Sequence, residues 1–205
     1  MKYHSIIFDL DGTLWDATPA TANGWNEALK VLGIQNRVTR EDIRRVTGQP
    51  NEKCIEMLLP GMSKKYRNLY DLLASYESLG INSEGGELYE GVQTIIPLLA
   101  SKFPLFIVSN CEDWYLDLFF KKYDLKNYFK DADCFGSSKK PKSVMIRQLV
   151  EKHKLKAPVY VGDTASDQQA ANETDVDFIF CDYGFGTIEN PSPSINSFQE
   201  LTKLL

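Results

Sequence analysis

The chain has 205 residues, 43% of them hydrophobic and 25% charged, and carries a net charge of −5. That is enough apolar material for a buried core without a zinc or disulfide staple, which excludes a disordered or collagen-like chain. The acidic balance argues against a nucleic-acid or anionic-membrane surface, since both call for a basic face, but it leaves room for a small anionic substrate at a locally positive site.

Ser5–Phe8 is a short apolar run and reads as a buried strand. It is too short for the core of a signal peptide, and no later run approaches membrane length, so a cytoplasmic protein is expected. From about Thr18 to Leu79 the pattern is helical. Trp25, Ala28, Leu29 and Leu32 make one stripe, stopped by Gly33. Thr39-Arg40-Glu41-Asp42 resembles a capping box that opens a second helix. Asn51 is expected to cap a third helix, stopped by Pro60-Gly61, and Ser63 a fourth, running to about Leu79 before Gly80. The segment from Gly80 to Gly91, with Gly85-Gly86, reads as a return linker. Beyond it, apolar stripes on Val92–Leu99, Leu116–Tyr123 and Met145–Val150 alternate with strand-like runs at Leu105–Val108, Val159–Val161 and Val176–Cys181.

That alternation predicts an α/β fold: a Rossmann-like, doubly wound, mainly parallel sheet with an inserted α-helical cap. The expected boundaries are 1–15 and 84–205 for the core domain and 16–83 for the cap. Cys54, Cys111, Cys134 and Cys181 make no C-x-x-C pair and no zinc-like cluster with histidine, so they read as reduced thiols. Cys111 is placed near the chemistry without taking part.

Three strand ends carry polar residues. Asp9-Leu10-Asp11-Gly12-Thr13 follows the first strand. In extended chain, residues i and i+2 point the same way, so Asp9 and Asp11 share one side of a turn that Gly12 permits. Two carboxylates this close repel unless a cation or a proton intervenes. A hard cation makes them ligands, a retained proton makes one a general acid, and a solvated Asp-rich turn is the plain rival. Ser109-Asn110 ends the second core strand. Its donors suit phosphate oxygens, although alone the pair is better read as a strand-end turn or helix cap. Gly162-Asp163-Thr164-Ala165-Ser166-Asp167 follows a third strand. Asp163 and Asp167 read as metal ligands, or Asp163 or Ser166 as a helix cap. Lys139, Lys140 and Lys142 precede a helix starting near Ser143 and offer positive charge for a phosphate dianion.

Taken in order, these four segments resemble the four motifs of the haloacid dehalogenase-like hydrolase superfamily, in its phosphatase branch, and the resemblance covers essentially the whole chain. Tyr183-Gly184-Phe185-Gly186 and Ser197-Phe198-Gln199-Glu200-Leu201 also resemble small capped phosphatases of that superfamily, of the phosphoglycolate phosphatase kind. The resemblance implies a Mg²⁺-dependent phosphatase acting on the phosphate monoester of a small metabolite. In it, Asp9 is the nucleophile that forms an aspartyl phosphate, and Asp11 protonates the leaving group and later activates water. Mg²⁺ is implied at Asp9, Asp11 (through its backbone carbonyl), Asp163 and Asp167. Phosphate contacts are implied at Gly12, Thr13, Ser109, Asn110 and Lys142, with Lys140 as the alternative lysine because the commonest form of the motif is Lys-Pro. Asn23, Trp25, Arg45, Gln49, Asn51 and Trp114 are candidates to face the substrate cavity.

A dehalogenase would not need a second acid at position 11. A phosphosugar mutase of the same superfamily would carry a histidine just after the first motif, and Asp16–Asn26 has none. A catalytically silent phosphate-binding module would not need the complete acidic set. The expected partners are a small phosphorylated metabolite and no nucleic acid or membrane, with the chain a monomer or homodimer.

Overall fold

The computed structural model describes residues 2–189 and 193–205. The chain divides into two compact units, Met1–Trp15 with Leu88–Leu205, and Asp16–Glu87. In the first unit the strands are β1 (Ser5–Phe8), β4 (Leu105–Ser109), β5 (Phe129–Cys134), β6 (Pro158–Gly162), β7 (Asp177–Cys181) and β8 (Ser194–Ile195). Two further two-residue strands, β2 (Trp15–Asp16) and β3 (Glu87–Leu88), lie where the chain leaves this unit and returns to it. No helix among the described residues is long and apolar enough to cross a membrane.

The sheet runs β5-β4-β1-β6-β7-β8, and its pairings are parallel. β1 lies between β4 and β6, with Ile7 opposite Phe106 on one side and Tyr160 on the other. A parallel strand is covered on both faces, so β1, β4 and β6 read as continuous apolar runs rather than alternating ones. Ile7, Phe106, Val108 and Tyr160 pack with Met145, Ile146 and Leu149 of one helix and Ala170 and Ala171 of another. Phe8, pointing the opposite way, meets the rings of Phe129 and Phe198.

The helices of this unit beyond the insert are α6 (Val92–Ala100), α7 (Asp113–Tyr123), α8 (Phe135–Ser138), α9 (Lys142–His153), α10 (Ala165–Asn172) and α11 (Leu201–Leu204). β5 escapes the sequence pattern because it is an edge strand. Its residues Lys130, Asp131 and Asp133 suit a border that must not pair with another chain. Asp131 takes Lys152 Nζ at 2.8 Å and lies 2.7 Å from His153 Nε2, which ties the edge to the end of α9.

The second unit holds α1 (Thr18–Val31), α2 (Arg40–Val46), α3 (Asn51–Leu58), α4 (Met62–Lys65) and α5 (Leu69–Ser83). Its core gathers Trp25, Ala28 and Leu29 of α1, Ile43 and Val46 of α2, Ile55 of α3, and Leu69 and Leu73 of α5. The Thr39–Asp42 capping box forms as its spacing predicts. Three other helix limits differ from expectation. Pro50, not Asn51, occupies the cap position of α3, and Asn51 is its first residue. Ser63 opens no long helix. Its hydroxyl donates to Glu56, as does Tyr70, and the backbone turns extended at Tyr66 between α4 and α5. Gly80 does not stop α5, which continues to Ser83. A Cβ on Gly80 would stand 2.8 Å from Ala20 O, and one on Gly24 would stand 2.5 Å from Tyr76 O. Both glycines are there so that the α1 and α5 backbones can touch.

Asp16 is buried in this unit beside the turn into α1. Asp16 accepts from Thr18 N at 2.9 Å, Thr18 Oγ1 at 2.5 Å and Arg40 at 2.7 Å, with Arg44 at 3.8 Å. Burial raises its pKa, but the Thr18 and Arg40 hydrogen bonds outweigh that and hold it below the usual carboxylate range.

Candidate active site

The parallel pairing of β4, β1 and β6 brings three strand ends side by side at one sheet edge, where ligands bind in open α/β sheets. β1 delivers Asp9, β4 ends on Ser109, and β6 ends on Gly162 with Asp163 next. α9 begins on Lys142, and α10 carries Asp167 in its first turn. All five of these side chains are buried.

Asp9, Asp163 and Asp167 each place a carboxylate oxygen within 4.8 Å of the others. Lys142 Nζ sits among them, 2.9 Å from Asp9 Oδ1 and 2.5 Å from Asp167 Oδ1. Three carboxylates against one ammonium leave an excess of negative charge in a place that water barely reaches. Burial first, then Asp167, pushes the Asp9 carboxyl up to about 6, although Lys142 pulls the other way. Burial, Asp167 and Asp9 together push Asp163 well up. For Lys142 burial works against the charge, but Asp167 and Asp9 outweigh it and hold the ammonium firmly protonated.

Asp167 does two jobs. Its Oδ2 accepts from Thr164 N at 3.0 Å and Thr164 Oγ1 at 2.6 Å, completing a capping box, while Oδ1 holds Lys142. The helix cap is therefore Thr164 rather than Asp163 or Ser166. The Thr-x-x-Asp spacing of residues 164–167 is a signal for this that goes unread while Asp167 is considered only as a ligand.

Asp163 is clamped from two sides. Phe185 N donates to Oδ2 at 2.7 Å, and Thr13 Oγ1 donates to Oδ1 at 3.3 Å. Tyr183 Oη in turn donates to Thr13 O at 2.8 Å. The loop after β7 thus braces the site, a role that the resemblance of Tyr183–Gly186 did not specify. Gly12, with φ +78°, and Gly184 both crowd this carboxylate. A Cβ on Gly12 would lie 2.1 Å from Asp163 Oδ2, and one on Gly184 would lie 2.6 Å from it.

The N–H of Gly12 donates to Trp15 O at 3.0 Å and that of Thr13 to Leu10 O at 3.3 Å. These donors and the Thr13 hydroxyl are engaged within the protein, so Gly12 and Thr13 shape the loop. Ser109 Oγ accepts from Cys111 N at 3.3 Å. Asn110 is half-buried beside it. The Cys111 thiol is pushed well up by burial, the Cys134 thiol and Asp11, and stays protonated.

Lys140 is not part of this cluster: its ammonium meets Gln148 Oε1 at 2.9 Å on the surface. Asp11 is also held apart from the three carboxylates by side chain, taking a hydrogen bond from the Tyr115 hydroxyl. Nothing in the sequence points to Tyr115, which is separated from Asp11 by 104 positions. Trp114 is half-buried, its ring 5.6 Å from that of Tyr115. Within the helical unit, Asn23 donates to Glu84, Arg45 to Asp42, and Gln49 accepts from Lys53. Trp25 is core, its Nε1 donating to the buried Glu77 at 3.1 Å.

The donor set fits a hard divalent cation. Three buried carboxylates converge with a charge excess that Lys142 alone does not offset, and Asp9 Oδ2 is buried with no hydrogen-bond partner. Such an orphaned acceptor costs stability unless something binds it.

A family model described as haloacid dehalogenase-like hydrolase matches residues 6–181. Phosphoglycolate phosphatases from Photobacterium profundum and Vibrio parahaemolyticus are 29% and 27% identical to this chain. They cover 96% and 98% of it, and 93% and 95% of their own lengths. The solved structure of a haloacid dehalogenase-like hydrolase from Streptococcus pneumoniae superposes with a TM-score of 0.85 at 24% identity, over 99% of this chain and 98% of that one. A second, described as a predicted phosphoglycolate phosphatase from Haemophilus somnus, gives 0.82 at 19% identity, over 100% and 98%. These two likenesses concern the fold, whereas the family match also spans the strand ends that bear Asp9, Ser109 and Asp163. The chain belongs to the haloacid dehalogenase-like hydrolase family.

Proposed function

We propose that the protein is a Mg²⁺-dependent phosphatase that hydrolyses the phosphate monoester of a small metabolite through a phosphorylated Asp9. The observation that carries this reading is the state of Asp9: one oxygen is held by Lys142 and the other is buried without a partner. A carboxylate fixed by one oxygen and bare at the other is a positioned nucleophile. With its carboxyl at about 6, Asp9 is ionised at neutral pH.

Asp9, Asp163 and Asp167 would hold Mg²⁺, with the Asp11 backbone carbonyl as a further oxygen. When bound, the ion supplies neutralising charge and Lewis acidity toward phosphoryl oxygens. Lys142 offsets the approach of a dianionic phosphate to a buried carboxylate and donates to a phosphoryl oxygen. Ser109 donates its hydroxyl hydrogen to a second one. As Asp9 forms its bond to phosphorus, the ester bond breaks and the leaving alkoxide takes a proton from Asp11. Asp11 then draws a proton from the water that cleaves the acyl phosphate.

The names of the relatives support a small phosphorylated acid such as phosphoglycolate as the substrate to try first. The test is phosphate release from a panel of phosphorylated metabolites, with and without Mg²⁺, alongside Asp9→Asn. Acid quenching and peptide mass spectrometry should find phosphate on Asp9. Turnover that survives Asp9→Asn, or that ignores chelation, overturns the reading.

A further inference from the structure

Asp11 and the residues around it show a device that the reaction outlined above does not use. The Tyr115 hydroxyl donates to Asp11 Oδ1. Tyr115 lies in the first turn of α7, a few residues beyond Ser109, and is 7% exposed, so its ring has little room to move. Trp15 packs edge-on against that ring with centroids 5.1 Å apart, and Trp114 does the same at 5.6 Å. Trp15 is itself fully buried and meets Phe119 at 5.3 Å and Tyr123 at 6.3 Å, both on α7. The same Trp15 closes the Asp11 loop, because its carbonyl accepts from Gly12 N. One aromatic block therefore holds both the loop that carries Asp11 and the phenol that grips its side chain.

We infer that Tyr115 is a positioning residue for Asp11: its hydroxyl fixes the rotamer in which the Asp11 carboxyl can hand a proton to the leaving-group oxygen. This rests on the reading of Asp11 as the general acid. A carboxylate on a turn has two soft torsions, and a misplaced acid loses most of its effect even when its protonation is right. Tying Oδ1 to a phenol packed between two indoles removes that freedom before substrate arrives. In the step concerned, Asp9 forms a P–O bond, the ester P–O bond breaks with its electron pair passing to the leaving oxygen, and that oxygen takes the Asp11 proton.

This role leaves a signature that a merely structural one does not. An alkoxide leaving group needs the acid, whereas 4-nitrophenolate leaves without one. The quantity to read is kcat/KM, which reports steps only up to formation of the phosphorylated Asp9 and so isolates leaving-group expulsion. The substrates are 4-nitrophenyl phosphate and whichever of phosphoglycolate, glycerol 3-phosphate and glucose 6-phosphate the wild type uses best. Tyr115→Phe keeps the ring and its packing. It should lower kcat/KM for the alkyl phosphate about tenfold and for the aryl phosphate less than about twofold, a part of the ~10²–10⁴ that a general acid supplies. Melting temperature, measured in parallel, identifies a variant that has simply lost its fold.

Equal losses on both substrates, or no loss on either, overturn the inference about Tyr115. Asp11→Asn is the companion. If it discriminates strongly between the substrates and Tyr115→Phe does not, the positioning role alone fails. If Asp11→Asn affects both substrates alike, Asp11 is not the acid, and the assignment under the proposed function falls together with this one.

Discussion

The buried Asp16 and the buried carboxylates at the sheet edge are built in opposite ways. Asp16, in the helical unit, has a backbone N–H, a hydroxyl and an arginine gathered around it, and its pKa is lowered. Asp9, Asp163 and Asp167, at the sheet edge, share a single lysine, and the pKa values of Asp9 and Asp163 are raised. Burial penalises all of these charges. What differs is whether the chain supplies enough opposite charge by itself. Asp16 is complete and serves structure. The sheet-edge cluster is left short of positive charge, which costs stability unless a cation completes it.

Neutralising Asp9 probes that contrast most severely. Asp9→Asn should lower kcat by on the order of 10⁴ in a phosphate-release assay, because the nucleophile is gone. The same change should raise the melting temperature of the chelated protein, since one of the crowded charges disappears. Loss of turnover with loss of stability would mean that the cluster is as self-sufficient as Asp16.

Lys142 is the next lever. Lys142→Ala should reduce kcat by about 10²–10³, the scale for losing one preorganised charge at a reacting phosphate. Lys140→Ala should stay within about twofold, because its ammonium meets Gln148 on the surface, away from the acidic cluster. The reverse ranking would move the phosphate-binding role to Lys140.

The pH dependence of melting separates the two centres without mutation. Asp9 and Asp163 have folded pKa values above their unfolded ones, so between the unfolded value and the folded value the folded state binds more protons. Their charge therefore costs stability that is regained as pH falls. In EDTA the melting temperature should rise as pH is lowered from 7 toward 5. In saturating Mg²⁺ it should be higher at pH 7, by about 3 kcal/mol equivalent at a hundredfold excess over Kd, and this Mg²⁺-dependent gain should shrink over the same interval as protons compete with the cation. A flat profile in EDTA would contradict the frustrated cluster.

The smallest effect belongs to Asp16. Asp16→Asn should destabilise by about 1–3 kcal/mol in urea unfolding at pH 7, the usual range for hydrogen bonds to a charged group. Its folded pKa is lowered, so its contribution is present above the unfolded carboxylate value and disappears as pH drops through the lowered one. Wild type and variant should therefore converge in acid.

The sequence was most readable where one physical cause dominates. Interior parallel strands announce themselves, because burial on both faces leaves only apolar residues, as in Ser5–Phe8 and Leu105–Ser109. The polar residues at their ends then mark the site edge. β5 was illegible, since an edge strand is chosen for what it refuses to pair with. Gly80 misled for a related reason: alone it reads as a stop, and only the facing Ala20 carbonyl shows that it permits a close helix crossing. Asn51 and Ser63 were sound cap residues by type, but Pro50 holds the cap position of α3, and Ser63 lies inside α4 with its hydroxyl turned to Glu56. Lys142 and Lys140 were separable only by geometry, two residues apart and alike in chemistry. Tyr115 lies furthest from legibility, because contact across the fold leaves no local pattern.

Asp167 links two timescales. Its carboxylate caps the start of α10 and anchors the lysine at the same time, so any fraying of that first turn takes away one of the two carboxylates that hold Lys142. Helix ends open locally far more often than a domain unfolds. Amide hydrogen exchange at residues 165–168 should therefore track how long the lysine keeps both carboxylate partners, and occupancy of the sheet-edge cluster should slow it.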